Sequence, residues 1–361
     1  MTRILLVLVL ATQLVIPQST WACTGIILRS LDGATIAART LEFGFDIKSN
    51  IVVVPPGTDI TTLAWDPNNQ GFTYQAKYGF AGANCLDKPV VVDGINEKGL
   101  YFGAFYFAGN ALFETVNSAN KDRAISSEEL GNWILSQFAT IEELKTALPK
   151  QVIVGTYIDA IKGVAPFHYA VTDATGASVV IEYTKDGLQI FDNDVNAVTN
   201  NPPFDWHKTN LQNYVGLSPV NREPITAGGQ ELKPFGQGSG MLGLPGDYSS
   251  PSRFVRAVAF ANTSVPAADA SQAVFNAFHI LNAFDIPKGA IREADNNSLM
   301  DYTIWTSASD TRNATYYYKT FKSQSVECIN VRQAIAGLDA PRVLPMETGF
   351  VVRDRTKELR K

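Results

Sequence analysis

The chain opens with a segment typical of a cleavable export leader. Arg3 gives a positive start, residues 4–16 are apolar, Pro17 interrupts the run, and small residues stand at positions 20 and 22. Cleavage after Ala22 makes Cys23 the first residue of the mature chain, carrying both a thiol and a free α-amine. This puts a nucleophile within reach of its own general base. It also requires the mature fold to begin inside the apolar run CTGIIL.

Two other interpretations of Cys23 compete with this one. A cysteine after a leader can be a lipidated envelope anchor, as in an anchored binding protein. Such signals usually place an aliphatic residue three positions before the cysteine and a small one two before, whereas this chain has Thr20 and Trp21. Exported cysteines also tend to pair, but three cysteines leave one over. If Cys85 and Cys328 pair, or simply stay buried, Cys23 is free.

Composition limits the class of protein. Without residues 1–22, the 339 residues that remain suffice for one large domain or two small ones, and we expect a single domain over 23–361. A mildly acidic chain, with a formal charge of −5 and no basic stripe, is a poor binder of nucleic acid. No second apolar run approaches the roughly 20 residues of a membrane span. The expected product is soluble and exported, either periplasmic or secreted.

The pattern of elements predicts an α+β fold. Two β-rich runs flank the turn at Asp32-Gly33 and predict a hairpin. Other strand-like runs cover 51–54, 89–92, 100–107, 166–172, 177–184, 187–191 and 315–321. Helical patterns come in pairs: 126–138 and 140–149, each opened by a capping box, then 251–262 and 267–284. Strands in runs and helices in pairs favour antiparallel sheets covered by helices.

The first candidate cluster is formed by Cys23, Arg39 and Glu42. Arg39 follows the cysteine by 16 positions and Glu42 by 19, so the predicted hairpin could bring both back beside it. A nearby cation favours the thiolate, which is the working nucleophile. A nearby carboxylate can orient the α-amine. The spacing alone fits a surface ion pair at a strand end as well.

Three later segments contribute further candidates. An Asn amide in VTNNPPFDWH, which spans 198–207, can donate to a developing oxyanion, although Asn-Asn-Pro-Pro is also turn chemistry. In LPGDYSSPSRF, Ser250 or Ser252 is a candidate helix cap. Arg253 would then lie in the first helical turn, where the macrodipole disfavours a cation. The segment DGINEKGL, from 93 to 100, predicts a turn between strands.

Other kinds of site have no support in the sequence. The histidines at 168, 207 and 279 are scattered and show no metal-ligand spacing. No glycine-rich phosphate loop occurs, and no GxSxG nucleophile elbow. We therefore expect neither a metal nor a cofactor.

Taken together, these segments resemble the choloylglycine hydrolase family, which comprises bile salt hydrolases and penicillin V acylases. The similar stretches run from Cys23 to about residue 330: CTGIILRS, the Arg39 strand, DGINEKGL, VTNNPPFDWHKTNL, GLPGDYSSPSRF and FHILNAFDIPKGA. The resemblance implies a four-layer αββα sandwich, with two antiparallel sheets between helix layers, as in N-terminal nucleophile hydrolases. The exported leader resembles the Gram-negative branch. Members often form homotetramers, an assembly on which no residue pattern here bears.

The resemblance also implies roles for the candidate residues. Cys23 matches the nucleophile and Arg39 the arginine beside it. Asn200 matches the oxyanion asparagine, and Arg253 the arginine that completes the pocket. Tyr106 falls where bile salt hydrolases usually carry Asn and penicillin V acylases often carry Tyr, and its backbone N–H would be a second oxyanion donor. In a departure from the family, Glu42 stands where Asp is usual.

The implied activity is hydrolysis of a linear amide by an N-terminal cysteine. Conjugated bile salts are the first substrate class implied, and penicillin V or another N-acyl amide, such as an acyl-homoserine lactone, is the alternative. The partner is a small amide molecule, held in an apolar pocket. We expect four aromatic residues to line that pocket: Phe43, Phe105, Tyr106 and Phe107.

Overall fold

The structure, a computed structural model, describes residues 22–63, 71–293, 299–346 and 349–360. The leader predicted over 1–22 lies outside these residues apart from Ala22, so its cleavage stays a prediction. In the ranges described, no helix has the length and apolar character needed to cross a membrane.

Seven of the described strands form the first sheet, and all of its neighbouring pairs are antiparallel. Ile291–Arg292 pairs with the long strand Met300–Asp310 at one end of it. The other strands follow one another across the sheet in the order Ala197–Val198, Cys23–Arg29, Thr35–Phe43, Met300–Asp310, Thr315–Thr320 and Glu327–Asn330.

The predicted hairpin is confirmed as the centre of this sheet. Its register pairs Cys23 with Leu41 and Gly25 with Arg39. Gly33 closes the turn with φ of 84°, a left-handed conformation that glycine adopts without steric cost. Because side chains alternate between the two faces of a strand, Cys23, Arg39 and Leu41 share one face.

The second sheet comprises eight of the described strands and is also antiparallel throughout. The predicted meander over 166–191 forms one end of it. Across the sheet the strands are Gly187–Asp192, Ser178–Thr184, Phe167–Thr172, Tyr101–Tyr106, Val91–Asn96, Phe80–Asn84, Asn50–Val54 and Arg342–Pro345.

Shorter strand pairs lie outside the two large sheets. In the described part of the chain they are Asp59–Thr61 with Thr73–Gln75, Ala124–Ser126 with Val152–Val154, Tyr157–Ile158 with Gly163–Val164, and Ile225–Ala227 with Gln230–Leu232.

The two large sheets pack face to face through apolar and polar contacts. Asp93 of the second sheet is fully buried and accepts hydrogen bonds from Ser307 and Tyr316 of the first, at 2.6 and 2.8 Å. Tyr101, on its own sheet, donates a third at 2.8 Å. The segment predicted as a turn from 93 to 100 therefore begins inside a strand, Val91–Asn96, and turns only after it. Three donors satisfy a carboxylate that would otherwise be costly to bury.

Helices cover the outer faces of both sheets and complete the predicted αββα sandwich. The helices are α1 (Leu130–Gln137), α2 (Ile141–Ala147), α3 (Phe204–Asn210), α4 (Ser250–Thr263), α5 (Ala270–Leu281) and α6 (Val331–Ala334). α4 and α5 lie on the first sheet, and α1 lies on the second. The N-terminus of α2 is held to a turn of the second sheet, because Asp173 accepts from the Ile141 N–H at 2.9 Å.

Two predicted helix caps are wrong and one is confirmed. α1 begins at Leu130, because residues 124–126 form a strand instead of a capping box. The residue that precedes α4 is Ser249, and its side chain makes no capping hydrogen bond, so neither Ser250 nor Ser252 is the cap. At α2, Thr140 accepts from the Glu143 N–H as predicted.

Candidate active site

Cys23 lies at the start of the second strand across the first sheet and is 2% exposed. In this structure its nitrogen is still joined to Ala22 and donates to Asn200 Oδ1 at 2.8 Å. The carbonyl of Ala22 accepts from the Glu42 N–H at 3.2 Å. The residue proposed as the nucleophile is thus held at its backbone from two directions.

Arg39 is fully buried on the same face of the sheet as Cys23. Its guanidinium donates to the carbonyl of Ala104, in the second sheet, and lies 4.0 Å from the centroid of the Phe105 ring. Burial raises the pKa of the Cys23 thiol, and the positive charge of Arg39 is the largest influence that lowers it. Arg39 therefore favours the thiolate in a site where desolvation disfavours it.

Glu42 stands one residue beyond Leu41, at a β-bulge opposite the long strand. It is 1% exposed, and its Oε1 accepts from Thr303 Oγ1 at 2.8 Å. Desolvation raises the pKa of this carboxyl to about 8, against the opposing charges of Arg253 and Arg39. A group that changes charge near neutral pH therefore lies beside the thiol.

Arg253 leaves the first turn of α4 and reaches the backbone of the nucleophile strand. It donates to the carbonyl of Cys23, to Thr24 Oγ1 at 2.9 Å and to Asn200 Oδ1 at 2.6 Å. Its Nε donates to the Tyr248 carbonyl at 2.9 Å. The cation that conflicted with the helix dipole is therefore stabilised by acceptors outside the helix.

Asn200 follows the edge strand of the first sheet and is 1% exposed. Its Oδ1 accepts from both Cys23 and Arg253, which fixes the orientation of the amide and makes Nδ2 the donor. Nδ2 donates to the carbonyl of Tyr106 at 2.8 Å. Its backbone N–H is held by Ser250 Oγ at 3.0 Å. The structure thus brings the five predicted residues Cys23, Arg39, Glu42, Asn200 and Arg253 together, with Tyr106 beside them.

An apolar cleft adjoins the thiol, here called the Cys23 cleft. It has a volume of about 30 Å³, little more than one water molecule occupies. Of the four aromatic residues predicted to line it, Phe43 and Tyr106 do so. Its other lining residues are Cys23, Arg39, Leu41, Ile47, Cys85, Leu86, Val92, Ala104, Glu128, Ile158, Ile161, Ala165 and Phe167.

The prediction is wrong for Phe105 and Phe107, which do not line the cleft. Phe105 lies under the Arg39 guanidinium, between the sheets. Phe107 stacks on His168, with the ring centroids 4.5 Å apart and the planes 5° from parallel. Alternation along the strand directs Phe105 and Tyr106 to opposite faces, so adjacent aromatics cannot share one wall.

The three cysteines do not pair with one another. Cys23, Cys85 and Cys328 are all free, and Cys328 is exposed. Of the two alternatives left open for Cys85 and Cys328, the structure does not show the disulfide, and Cys328 is not buried either. No group of three or more His, Cys, Asp or Glu side chains that could hold a metal ion occurs in the described ranges.

Two kinds of supporting residue escaped prediction from the sequence. Ser250 was a candidate helix cap, whereas its hydroxyl holds the backbone of Asn200. His168 and His207 seemed scattered, yet each contacts the carbonyl of one residue in the Thr199–Asn200 dipeptide. Ser250 and His207 lay in motifs whose neighbours pointed to the site, whereas His168 did not.

Comparison with known proteins decides the family. The model of the linear amide C–N hydrolases, choloylglycine hydrolase family, matches residues 23–342. This chain belongs to the choloylglycine hydrolase family. The match begins at Cys23, so the segment before it is not part of the family's shared region.

Similar members of the family include proteins named for bile salts. The bile salt hydrolase/transferase of Clostridium perfringens is 31% identical over 86% of this chain and 93% of its own length. That of Lactiplantibacillus plantarum is 35% identical over 67% and 74%. A penicillin V acylase of Pectobacterium atrosepticum is 24% identical over 82% of this chain and 77% of its own.

Solved structures bear out the predicted architecture. A variant of the conjugated bile acid hydrolase from Clostridium perfringens superposes with a TM-score of 0.82 at 28% identity, covering 92% of this chain and 99% of its own. The penicillin V acylase of Agrobacterium tumefaciens shares the fold, with a TM-score of 0.73 at 22% identity over 90% and 92%. The chain is a linear amide hydrolase with the αββα fold of N-terminal nucleophile hydrolases.

Proposed function

We propose that Cys23, freed by leader cleavage, is the nucleophile and that its α-amine is the general base. The observation that carries the proposal is the convergence of Asn200 and Arg253 on the backbone of Cys23, beside a thiol that Arg39 faces. Burying an asparagine amide beside an arginine costs desolvation free energy, which packing alone gives no reason to incur. It suits a site where the first residue must be fixed in place.

The proposed reaction needs only the groups already described. The α-amine accepts the thiol proton, the sulfur bonds to the amide carbonyl carbon, and the carbonyl oxygen becomes an oxyanion. The protonated amine then gives its proton to the leaving nitrogen as the C–N bond breaks. Water next attacks the thioester, giving the free acid and restoring the thiol. The products are a carboxylic acid and an amine.

Asn200 and Tyr106 are the proposed donors to the oxyanion. Asn200 Nδ2 has two hydrogens, of which one is bonded to the Tyr106 carbonyl, and the second is the proposed catalytic donor. The Tyr106 backbone N–H is the other. Losing one such donor typically costs about 3–4 kcal/mol of transition-state stabilisation.

Arg39, Glu42 and Arg253 are proposed to set the charge around the nucleophile. Arg39 and Arg253 favour the thiolate, and Glu42 opposes it. After cleavage, the Cys23 ammonium that forms during the reaction lies near Glu42. A carboxylate there stabilises that ammonium, so Glu42 takes the role that Asp has in most of the family.

The proposed substrates are conjugated bile salts, since several similar proteins carry that name. Penicillin V is the second candidate, which Tyr106 favours. This tyrosine lines the Cys23 cleft, and burial raises its pKa to about 12, so it stays a neutral, partly apolar wall. The predicted leader implies export to the periplasm or beyond. The mature chain is proposed to form a single domain over 23–361.

The test is a side-by-side assay of purified, exported protein on glycocholate and penicillin V. Intact mass gives the N-terminal residue before the assay. We expect Cys23 at the N-terminus and turnover of at least one substrate, with the ratio of kcat/KM values assigning the substrate class. Turnover of neither, with an unmodified Cys23, points to another N-acyl amide. A lipidated Cys23 without turnover would contradict the proposed mechanism and favour an anchored binding protein.

Two cysteine variants make the assignment of the nucleophile specific. Cys23→Ala should abolish turnover on every substrate, because it removes the proposed nucleophile while the Cys23 backbone keeps its contacts with Asn200 and Arg253. Cys328→Ala is the matched control, since this cysteine is free and exposed, and it should retain full activity. Activity retained by the Cys23 variant contradicts the mechanism.

A further inference from the structure

Two buried imidazoles hold successive carbonyl groups at the oxyanion asparagine. His168 Nε2 lies 3.0 Å from the Thr199 carbonyl oxygen, and His207 Nε2 lies 2.9 Å from that of Asn200. Both histidines are 1% exposed. They come from different layers, since His168 is in the second sheet and His207 is in α3. The segment that carries Asn200 is therefore tied to two separate elements.

His168 is itself fixed on every side. Its Nδ1 lies 3.1 Å from Glu182 Oε1, on the adjacent strand. The same oxygen accepts from the Phe204 N–H at 3.0 Å, at the start of α3. The Phe107 ring stacks on the imidazole. Glu182 therefore links His168 to the helix that carries His207.

His207 is held by packing more than by hydrogen bonds. Its ring stacks on Phe254 of α4 at 4.4 Å between centroids, with the planes 12° apart. Its Nδ1 is buried without a hydrogen-bond partner. Desolvation lowers the pKa of His207 to about 4, so the ring is neutral at pH 7. Phe254 adjoins Arg253 in sequence, which couples this ring to the arginine that holds Asn200.

The hydrogen-bond chemistry fixes which nitrogen is protonated. A carbonyl oxygen can only accept, so Nε2 carries the hydrogen in both rings. In neutral His207, Nδ1 is then the bare nitrogen, consistent with its lack of a donor nearby. His207 therefore donates through Nε2 alone, whereas His168 donates through Nε2 to Thr199 and contacts the Glu182 carboxyl through Nδ1.

We propose that His168 and His207 are positioning residues that fix the Thr199–Asn200 backbone so that the Asn200 amide meets the oxyanion. This rests on the proposed function of Cys23 and Asn200. Ser250 holds the Asn200 N–H and also contacts Thr199 Oγ1 at 2.9 Å, so the dipeptide is held at its donor as well as its acceptors. An oxyanion donor acts only if it is already in place, because a displacement of about 1 Å can cost on the order of 100-fold in rate.

The experiment compares two isosteres at each histidine. A Gln amide reproduces the donor of Nε2, whereas an Asn amide reproduces the position of Nδ1. His207→Asn should lower kcat on the order of 10- to 100-fold, with KM changed little, because the oxyanion exists only after attack. His207→Gln should recover most of the lost kcat. The same order, Gln above Asn, is expected for the two variants of His168.

Folding defects are separated from loss of positioning by counting folded sites. Rates are divided by the amount of folded enzyme, measured as the amplitude of the cooperative urea transition per mole of protein. A poorly folded fraction lowers this count without lowering kcat per folded site. His279→Asn is the matched control, since this histidine is exposed on α5, and it should leave kcat unchanged.

The outcomes distinguish a failure of the positioning role from a failure of the proposed function of Cys23. Equal kcat for the Gln and Asn variants at both histidines, or a loss confined to KM or to the site count, overturns the positioning role. If wild-type turnover still depends on Cys23 in that case, the proposed function stands alone. If turnover does not depend on Cys23, both proposals fall.

Discussion

The carboxyl group of Glu42 is buried with one hydroxyl donor, although two arginines lie near it. Thr303 satisfies Oε1, and Oε2 has no hydrogen-bond partner. Desolvation outweighs the attraction of Arg253 and Arg39, which is why the pKa rises from 4.5 to about 8. In the structure the nitrogen of Cys23 is an amide, so no ammonium opposes this shift. Protonated Glu42 is thus the form favoured while Ala22 is attached.

We predict a pH-dependent stability difference between the chain that retains Ala22 and its Glu42→Gln variant. Between pH 4.5 and about 8 the folded chain keeps a proton that the unfolded chain releases, so rising pH destabilises the wild type. Gln stays neutral and loses no stability in this window. The gap between their free energies of unfolding, measured by urea titration, should widen towards pH 8 by a few kcal/mol at most, since one pKa unit is about 1.4 kcal/mol.

The control is Glu231→Gln, which changes an exposed carboxyl. Its urea midpoint should follow that of the wild type across the same pH range. All other titrating groups are shared by the compared chains and cancel in the difference. A gap between the wild type and Glu42→Gln that stays constant from pH 5 to 8 contradicts the prediction.

At the scale of elements, the sequence predicts strands with apolar or β-branched runs and fails for strands with polar side chains. The hairpin and the meander were predictable because apolar runs alternate with Asp-Gly turns. The strand Met300–Asp310 was not, since Thr303, Ser307 and Asp310 look like loop residues. They are buried because their hydrogen-bond partners, such as Glu42 and Asp93, come from distant segments. No local pattern records such partners.

The residues of the site also differ in how far local sequence predicts their position. Cys23 and Arg39 could be placed together from the hairpin, because register is a local property. Asn200 and Arg253 could be assigned only through family resemblance, since their contacts with Cys23 span 177 and 230 residues of the chain. His207 lay in the same resembling segment as Asn200 without any role being assigned to it, and His168 had neither signal. Long-range hydrogen bonds to backbone carbonyls leave no spacing to detect.

The close approach of three strands at Gly25 gives a prediction about elements. A Cβ at this position would lie 2.7 Å from Val198 Cγ1 and 2.9 Å from Phe105 Cζ. Gly25→Ala should therefore push the edge strand away from the nucleophile strand. Overpacking costs about 1–3 kcal/mol of stability, and displacement of Asn200 should lower kcat on the order of 10-fold or more.

Gly216→Ala provides the control for this substitution. Nothing lies within 4 Å of a Cβ added at Gly216, and its φ is not left-handed. Melting temperature and kcat should both match the wild type. A Gly25→Ala variant that melts lower but turns over normally would show that the edge strand moves without Asn200.

For the whole molecule, the proposed leader cleavage would change the chemistry of the site without building it. The sheets, the Asn200 contact and the Arg253 contacts are all formed while Ala22 is attached. Ala22 is itself 5% exposed, and its carbonyl accepts from Glu42. Folding therefore has no need of the free α-amine. The contacts that position Cys23 come from the sandwich, and the proposed cleavage would only convert an amide nitrogen into a base.

The corresponding prediction compares a chain that begins at Cys23 with one that begins at Ala22. Both should fold to the same melting temperature within a few degrees, because the one lost contact, from Glu42 to the Ala22 carbonyl, is worth about 1 kcal/mol. Amidase kcat should fall by about 100-fold or more with Ala22 present, since an amide nitrogen cannot accept the thiol proton. Iodoacetamide should still label Cys23 in both chains. Equal kcat values would show that another group is the base. A much lower melting temperature for the chain that begins at Ala22 would show that the fold depends on cleavage.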